Sequence, residues 1–167
     1  HDSELEGQAG ESQRLEGLVG LAQALNGPTR CALSSLRAGG NRSGADAAMV
    51  WQTGFPFAVD FAAGAPRYRP EQPASLAIDG VGGALIVGAA HRIPEVVTHV
   101  LSGKRIAVIG PRATQVADAE VAVDTGIAGI HEAGIGYRMD DVPLPLPSIL
   151  AGPASAADIL RRVASAL

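Results

Sequence analysis

Apolar positions change period several times along this chain, and each change predicts an element. Leu15, Leu18, Val19, Ala22 and Leu25 recur at helical spacing, so a helix is expected over 12–25, with Ser12 as its N-cap. Asn26-Gly27-Pro28 stops it. TRCALSSL, 29–36, reads as a short strand, and the Gly-rich 37–44 as a loop. GADAAMVWQT, 44–53, reads as a short helix, and another helical turn is expected near 74–78. GALIVG, 83–88, is an unbroken apolar run between glycines, the pattern of a strand buried on both faces. IPEVVTHVL, 93–101, follows as a helix that tolerates Pro94 in its first turn. KRIAVIG, 104–110, and AEVAVDTG, 119–126, give two more strands. Ile159, Leu160, Val163 and Leu167 form the apolar face of a closing helix over 155–167.

Strands alternating with helices predict an α/β fold: a mostly parallel sheet with helices on both faces, a Rossmann-like three-layer arrangement. Ligands of such folds sit at the carboxyl ends of the strands, here 88–91, 110–114 and 125–129. PLPLP, 143–147, lacks alternate N–H donors and reads as a surface strap, not a central strand. Residues 1–11 read as a polar tail or tag remnant, and 12–167 as a single α/β domain.

Composition narrows the function. The chain has 167 residues, 47% of them hydrophobic and 18% charged, which is ample for a packed core. The net charge is -4, and no basic cluster exceeds the pair Arg161–Arg162, so nucleic acid is not an expected partner. Glycines, prolines and charges interrupt every apolar run, so no membrane span is expected. The acidic, polar start shows no signal peptide, which makes cytoplasmic the default location. The lone Cys31 cannot complete a cysteine-only metal site and is expected as a small hydrophobe at the edge of the core.

The candidate chemistry is sparse. In DGVGGALIVG the glycines precede the strand, whereas a dinucleotide fingerprint needs them after it. A generic nucleotide-binding module therefore stays only as a minor alternative. His91, Glu95 and His99 recur every four residues and could aim at a metal, but they also fit a solvated helix face. Asp140 and Asp141 are adjacent, so they point apart; capping a turn or pairing with Arg138 is expected of them. No catalytic residue and no metal ligand is assigned.

One segment is unusual. WQTGFPFAVDFAAGAPRYRP, 51–70, holds five of the six aromatics in the chain. Trp51, Phe55, Phe57 and Phe61 are expected to pin this irregular connection onto the sheet, leaving Tyr68 for a partner. This segment closely resembles one in the B subunit of formylmethanofuran dehydrogenase. AGIHEAGIGYRMDDVPLPL, 128–146, resembles the closing segment of the same family. The resemblance runs in order over roughly 12–165 and covers the C-terminal part of that family's chains.

The family resembles the molybdopterin and tungstopterin oxidoreductases. Its archaeal members carry an iron–sulfur cluster and a pterin-bound metal, both dependent on an N-terminal cysteine-rich part. In methylotrophic bacteria a related subunit belongs to a formyltransferase/hydrolase complex, which passes a formyl group from tetrahydromethanopterin to a methanofuran-like carrier and releases formate. There, partner subunits do the chemistry. The resemblance implies Thr53, Gly54 and Gly88 as the pterin-side positions. Small apolar residues follow Gly88, and Ile135 stands where the family commonly has Thr. The expectation is therefore a non-catalytic subunit of the bacterial kind, without its own cofactor, among the other subunits of such a complex. Molybdopterin guanine dinucleotide is the cofactor expected if the chain is instead part of a true dehydrogenase.

Overall fold

The computed structural model describes residues 11–34, 40–70, 81–88, 95–138 and 140–167. The order is α1 (Glu11–Leu25), α2 (Arg42–Thr53), β1 (Val59–Asp60), β2 (Arg67–Tyr68), β3 (Gly83–Val87), α3 (Glu95–Val100), β4 (Arg105–Gly110), a 3-10 turn (Ala113–Gln115), β5 (Val121–Asp124), β6 (Gly134–Tyr137), β7 (Pro143–Leu146) and α4 (Ala156–Ala166). The expected polar tail and the turn near 74–78 lie outside the described residues. Residues 29–34 form no strand; the Asn26 side chain brackets Cys31 instead, accepting from its N–H at 3.2 Å and donating to its carbonyl at 2.7 Å. Cys31 is half-buried beside this turn and does not join the core cluster.

The fold is mixed α/β. β3, β4 and β5 form a parallel sheet in chain order, with Ala84 beside Ile106, Ile86 beside Val108 and Val108 beside Ala122. Successive side chains alternate between the two faces. One face carries Ala84, Ile86, Ile106, Val108 and Ala122, under Val97 and Leu101 and under Ala113, Val116 and Ala119 of the turn into β5. This is the core, and Val108 and Ala113 at its centre are fully buried. The residues are small and β-branched, which suits a strand packed on a pleated surface. The other face is thinner. Ile109 is buried there and α4 contacts β4, yet Leu85, Val87 and Val121 stay about half exposed.

The remaining strands depart from the expected mostly parallel sheet, because they form two antiparallel ribbons. β1 pairs with β2, and β6 pairs with β7. The PLPLP segment is thus a strand, but a ribbon strand. Gly136 faces Leu144 and Gly134 faces Leu146, so β7 turns its non-proline residues toward β6. The prolines at 143 and 145 fall at the positions that turn away from β6, where no donor is needed. The opposite edge of β6 is closed by one side chain. Asn41 Oδ1 accepts the Tyr137 N–H at 2.7 Å, and Asn41 Nδ2 donates to the Ile135 carbonyl at 3.0 Å. The side-chain amide does here what a neighbouring strand would do. Asn41 also has φ 57, a left-handed conformation that asparagine tolerates better than most residues. It stands at the N-cap of α2 and fastens that helix to the ribbon.

Candidate functional site

The carboxyl ends of β3, β4 and β5 are the place where a fold of this kind would take a ligand. Gly88 ends β3 with φ 110 and donates its N–H to the Ile109 carbonyl at 2.9 Å. Gly110 ends β4. A Cβ at Gly110 would lie 1.8 Å from the Gly88 carbonyl oxygen, so the two backbones meet with no room for a side chain. Thr125 follows β5, buried, and donates its N–H to the Gly110 carbonyl at 3.2 Å and its hydroxyl to the Gly126 carbonyl at 3.0 Å. The strand ends are stitched to one another.

Among the described residues, Asp124 is the carboxylate of this rim, at the end of β5. Its Oδ1 accepts the Thr114 N–H at 2.9 Å and its Oδ2 accepts the Thr114 hydroxyl at 2.8 Å. The backbone bond from Thr114, followed by the hydroxyl bond, holds the Asp124 carboxyl below the usual carboxylate range. Asp124 therefore caps the 3-10 turn that Arg112 enters with φ 61. Sequence reasoning missed this role, although an Asp ending a strand and a Thr shortly after the preceding strand were both visible. Among the described residues no buried side-chain nitrogen or oxygen lacks a partner. The strands also run in chain order, so the described sheet has no point where strand order reverses and opens a crevice.

The expected pterin-side residues do not converge. Gly88 is at the strand end, but Thr53 and Gly54 form the C-terminus of α2, which docks on β6. Thr53 Oγ1 donates to the Met49 carbonyl at 2.8 Å and accepts the Phe55 N–H at 3.1 Å. Gly54, at φ 84, closes the helix through a 2.8 Å bond to the Val50 carbonyl. Both residues serve the helix end. As it stands, this set of donors does not fit a dinucleotide.

The aromatic segment also departs from expectation. Tyr68 is the hub: Phe55 stacks on it at 5.3 Å and Phe57 meets its edge at 5.7 Å. Phe61, however, is 54% exposed and Trp51 is 88% exposed. Neither pins the segment to the sheet, and Tyr68 is an internal anchor of the lobe. The fastening falls to polar groups: Asn41, and Ser43, whose hydroxyl donates to Asp141 at 2.5 Å. Asp140 pairs with Arg138 at 2.6 Å, so the two adjacent carboxylates do separate as their spacing predicted. His91 lies outside the described residues, and among those described no group of metal-binding side chains occurs. No described helix is long and apolar enough to cross a membrane.

Comparison with known proteins adds to this geometry. No protein-family model matches the chain. It is 28% identical over 150 residues to the B subunit of the tungsten-containing formylmethanofuran dehydrogenase 2 of Methanocaldococcus jannaschii, covering 86% of this chain and 34% of that protein. The protein of the same description in Methanococcus maripaludis is 25% identical over 150 residues, with 86% and 35% covered. The chain thus spans about a third of the length of these curated relatives. A chain in the crystal structure of the formyltransferase/hydrolase complex (FhcABCD) from Methylorubrum extorquens, in complex with methylofuran, superposes with a TM-score of 0.70 at 23% identity. That match covers 89% of this chain and 43% of the other, and it shows a shared fold. Over most of its length, the chain is homologous to the B subunit of formylmethanofuran dehydrogenase.

Proposed function

We propose that this chain is a non-catalytic, structural part of a protein akin to that B subunit, in a formyltransferase/hydrolase-type complex. It would serve tetrahydromethanopterin-linked oxidation of one-carbon units to formate, in which partner subunits transfer and hydrolyse the formyl group. The observation that carries the structural role is the self-satisfied strand-end rim. Asp124 is engaged by Thr114, Thr125 by Gly126, and the Gly88–Gly110 approach leaves no space between β3 and β4. A subunit that binds no cofactor needs its strand ends closed, whereas a catalytic one needs donors held open.

The same reading takes the fold to be a Rossmann-like three-layer sandwich. Its support is the set of in-order parallel strands, with α3 and the 3-10 turn over one face and α4 against β4. The second reading is a pterin-dinucleotide-binding piece of a true dehydrogenase, and it is favoured by the tungsten-containing description of both relatives.

Metal analysis of the purified natural complex separates the two. The structural reading expects partner subunits to copurify, with no molybdenum, tungsten or iron in proportion to this subunit. One molybdenum or tungsten per copy of the subunit would overturn it.

A further inference from the structure

Two apolar surfaces of this chain stand uncovered among the described residues, and their shapes match. The first is the thin face of the parallel sheet. Leu85 and Val121 are 52% and 55% exposed and flank Ala107 in register. Together with Gly83 and the Arg105–Glu120 ion pair they line a shallow depression of about 490 Å³. Parallel sheets are covered on both faces, and helices are what cover them.

The second surface is on α1. Leu15, Val19 and Leu25 are each about two-fifths exposed, with Leu18 and Ala22 half-buried beside them. This is one continuous stripe at helical spacing. Among the described elements, α1 has no extended packing contact. Its exit is fixed as well: the Asn26 side chain donates to the carbonyls of Ala22 and Cys31 and accepts from the Cys31 N–H. The helix is therefore held out from the chain at a set angle and does not hang on a loose linker. The whole chain exposes 11859 Å², against roughly 7,700 Å² for a compact monomer of this mass.

We propose that α1 of one copy lies across the open sheet face of a second copy, and the reverse, giving a symmetric pair. Fifteen residues make a helix roughly 22 Å long. Two such reciprocal contacts would bury roughly 1,200 Å², at the lower limit of a specific interface. The exchange is isologous, so it closes at two copies and does not propagate.

The test uses the purified 167-residue chain and does not depend on the proposed function. Light scattering across a dilution series should give twice the monomer mass of 16.9 kDa. Leu85→Lys, at a half-exposed site, and Leu18→Lys should each return the monomer mass with the circular dichroism spectrum kept. Separately, chains carrying Leu18→Cys and chains carrying Ala107→Cys, both with Cys31→Ser, should crosslink when mixed under mild oxidation. Monomer mass throughout the series would overturn the proposal. So would a dimer that survives both lysine variants, or mixed chains that crosslink no better than either alone.

Discussion

The parallel sheet and the aromatic lobe over 40–70 use their apolar residues in opposite ways. The sheet hides small ones: Ala113 and Val108 are fully buried and Ile106 nearly so. The lobe holds the large ones and leaves most of them at the surface, with Trp51 at 88%. Side-chain size did not decide burial here; backbone regularity did. A pleated strand presents a residue to each face at fixed spacing, and the covering elements need only bring matching groups. The lobe has only a two-residue ribbon and left-handed turns at Ala58 and Gly64. It gathers three rings around Tyr68 and fastens itself by hydrogen bonds.

The largest effect should come from the sheet, at a residue with no side chain. Gly110→Ala would drive a methyl into the Gly88 carbonyl, a backbone atom that cannot step aside. A loss of about 3 kcal/mol or more is expected, read as failure to fold or a collapsed denaturant midpoint. Wild-type-like stability would show that the two strand ends are not joined as described. In the lobe, Tyr68→Ala removes both ring contacts and should lose about 2 kcal/mol. If the two regions are as separate as their packing suggests, amide exchange in β4 should be unchanged in that variant while β1 and β2 lose protection.

Asn41 joins the lobe to the ribbon, so it tests how far the separation goes. Asn41→Ala removes two hydrogen bonds and leaves Ala in a left-handed conformation, for a loss of about 1–2 kcal/mol. Exchange at the Tyr137 amide should rise most. A smaller perturbation acts on the sheet alone. The Asp124 carboxyl is held low by Thr114, so its stabilising effect is present above its unfolded value and is lost as pH falls through its folded value. Acidification below about pH 4 should loosen the turn after β4, and Asp124→Asn should flatten that part of the pH–stability curve.

How much the sequence disclosed follows the same divide. β3, β4 and β5 were legible because continuous apolar runs between glycines leave few alternatives, and α4 because Ser155 accepts the Asp158 N–H at 3.0 Å as a helix N-cap. The ribbons were not. β1 and β2 are too short to show a period, and the prolines of β7 argued against any ladder until its register placed them on the outer edge. TRCALSSL had the right composition for a strand, but over 29–34 it pairs with no strand, and Asn26 captured its backbone. The site residues failed for a related reason. Thr53 and Gly54 resemble ligand contacts because polar and glycine residues also end helices. Nothing local separates the two uses; only the docking of α2 on β6 does.

The smallest expected effect is at the most conspicuous residue. Trp51 is the one tryptophan of the chain, and it stands on α2 with most of its ring in solvent. Truncation to Ala should change stability by less than about 0.5 kcal/mol, because little packing is lost and Ala favours the helix. Its intrinsic fluorescence should already report water, with an emission maximum that barely shifts on unfolding. A large blue shift in the native state would mean that the indole is covered, and the contrast between the two regions would then fail at its clearest point. A wild-type-like variant would instead put the value of Trp51 outside the folding of this chain. Exposed tryptophans are characteristic anchors of protein interfaces, so loss of copurifying subunits from an otherwise stable Trp51→Ala protein is the outcome that would assign it there.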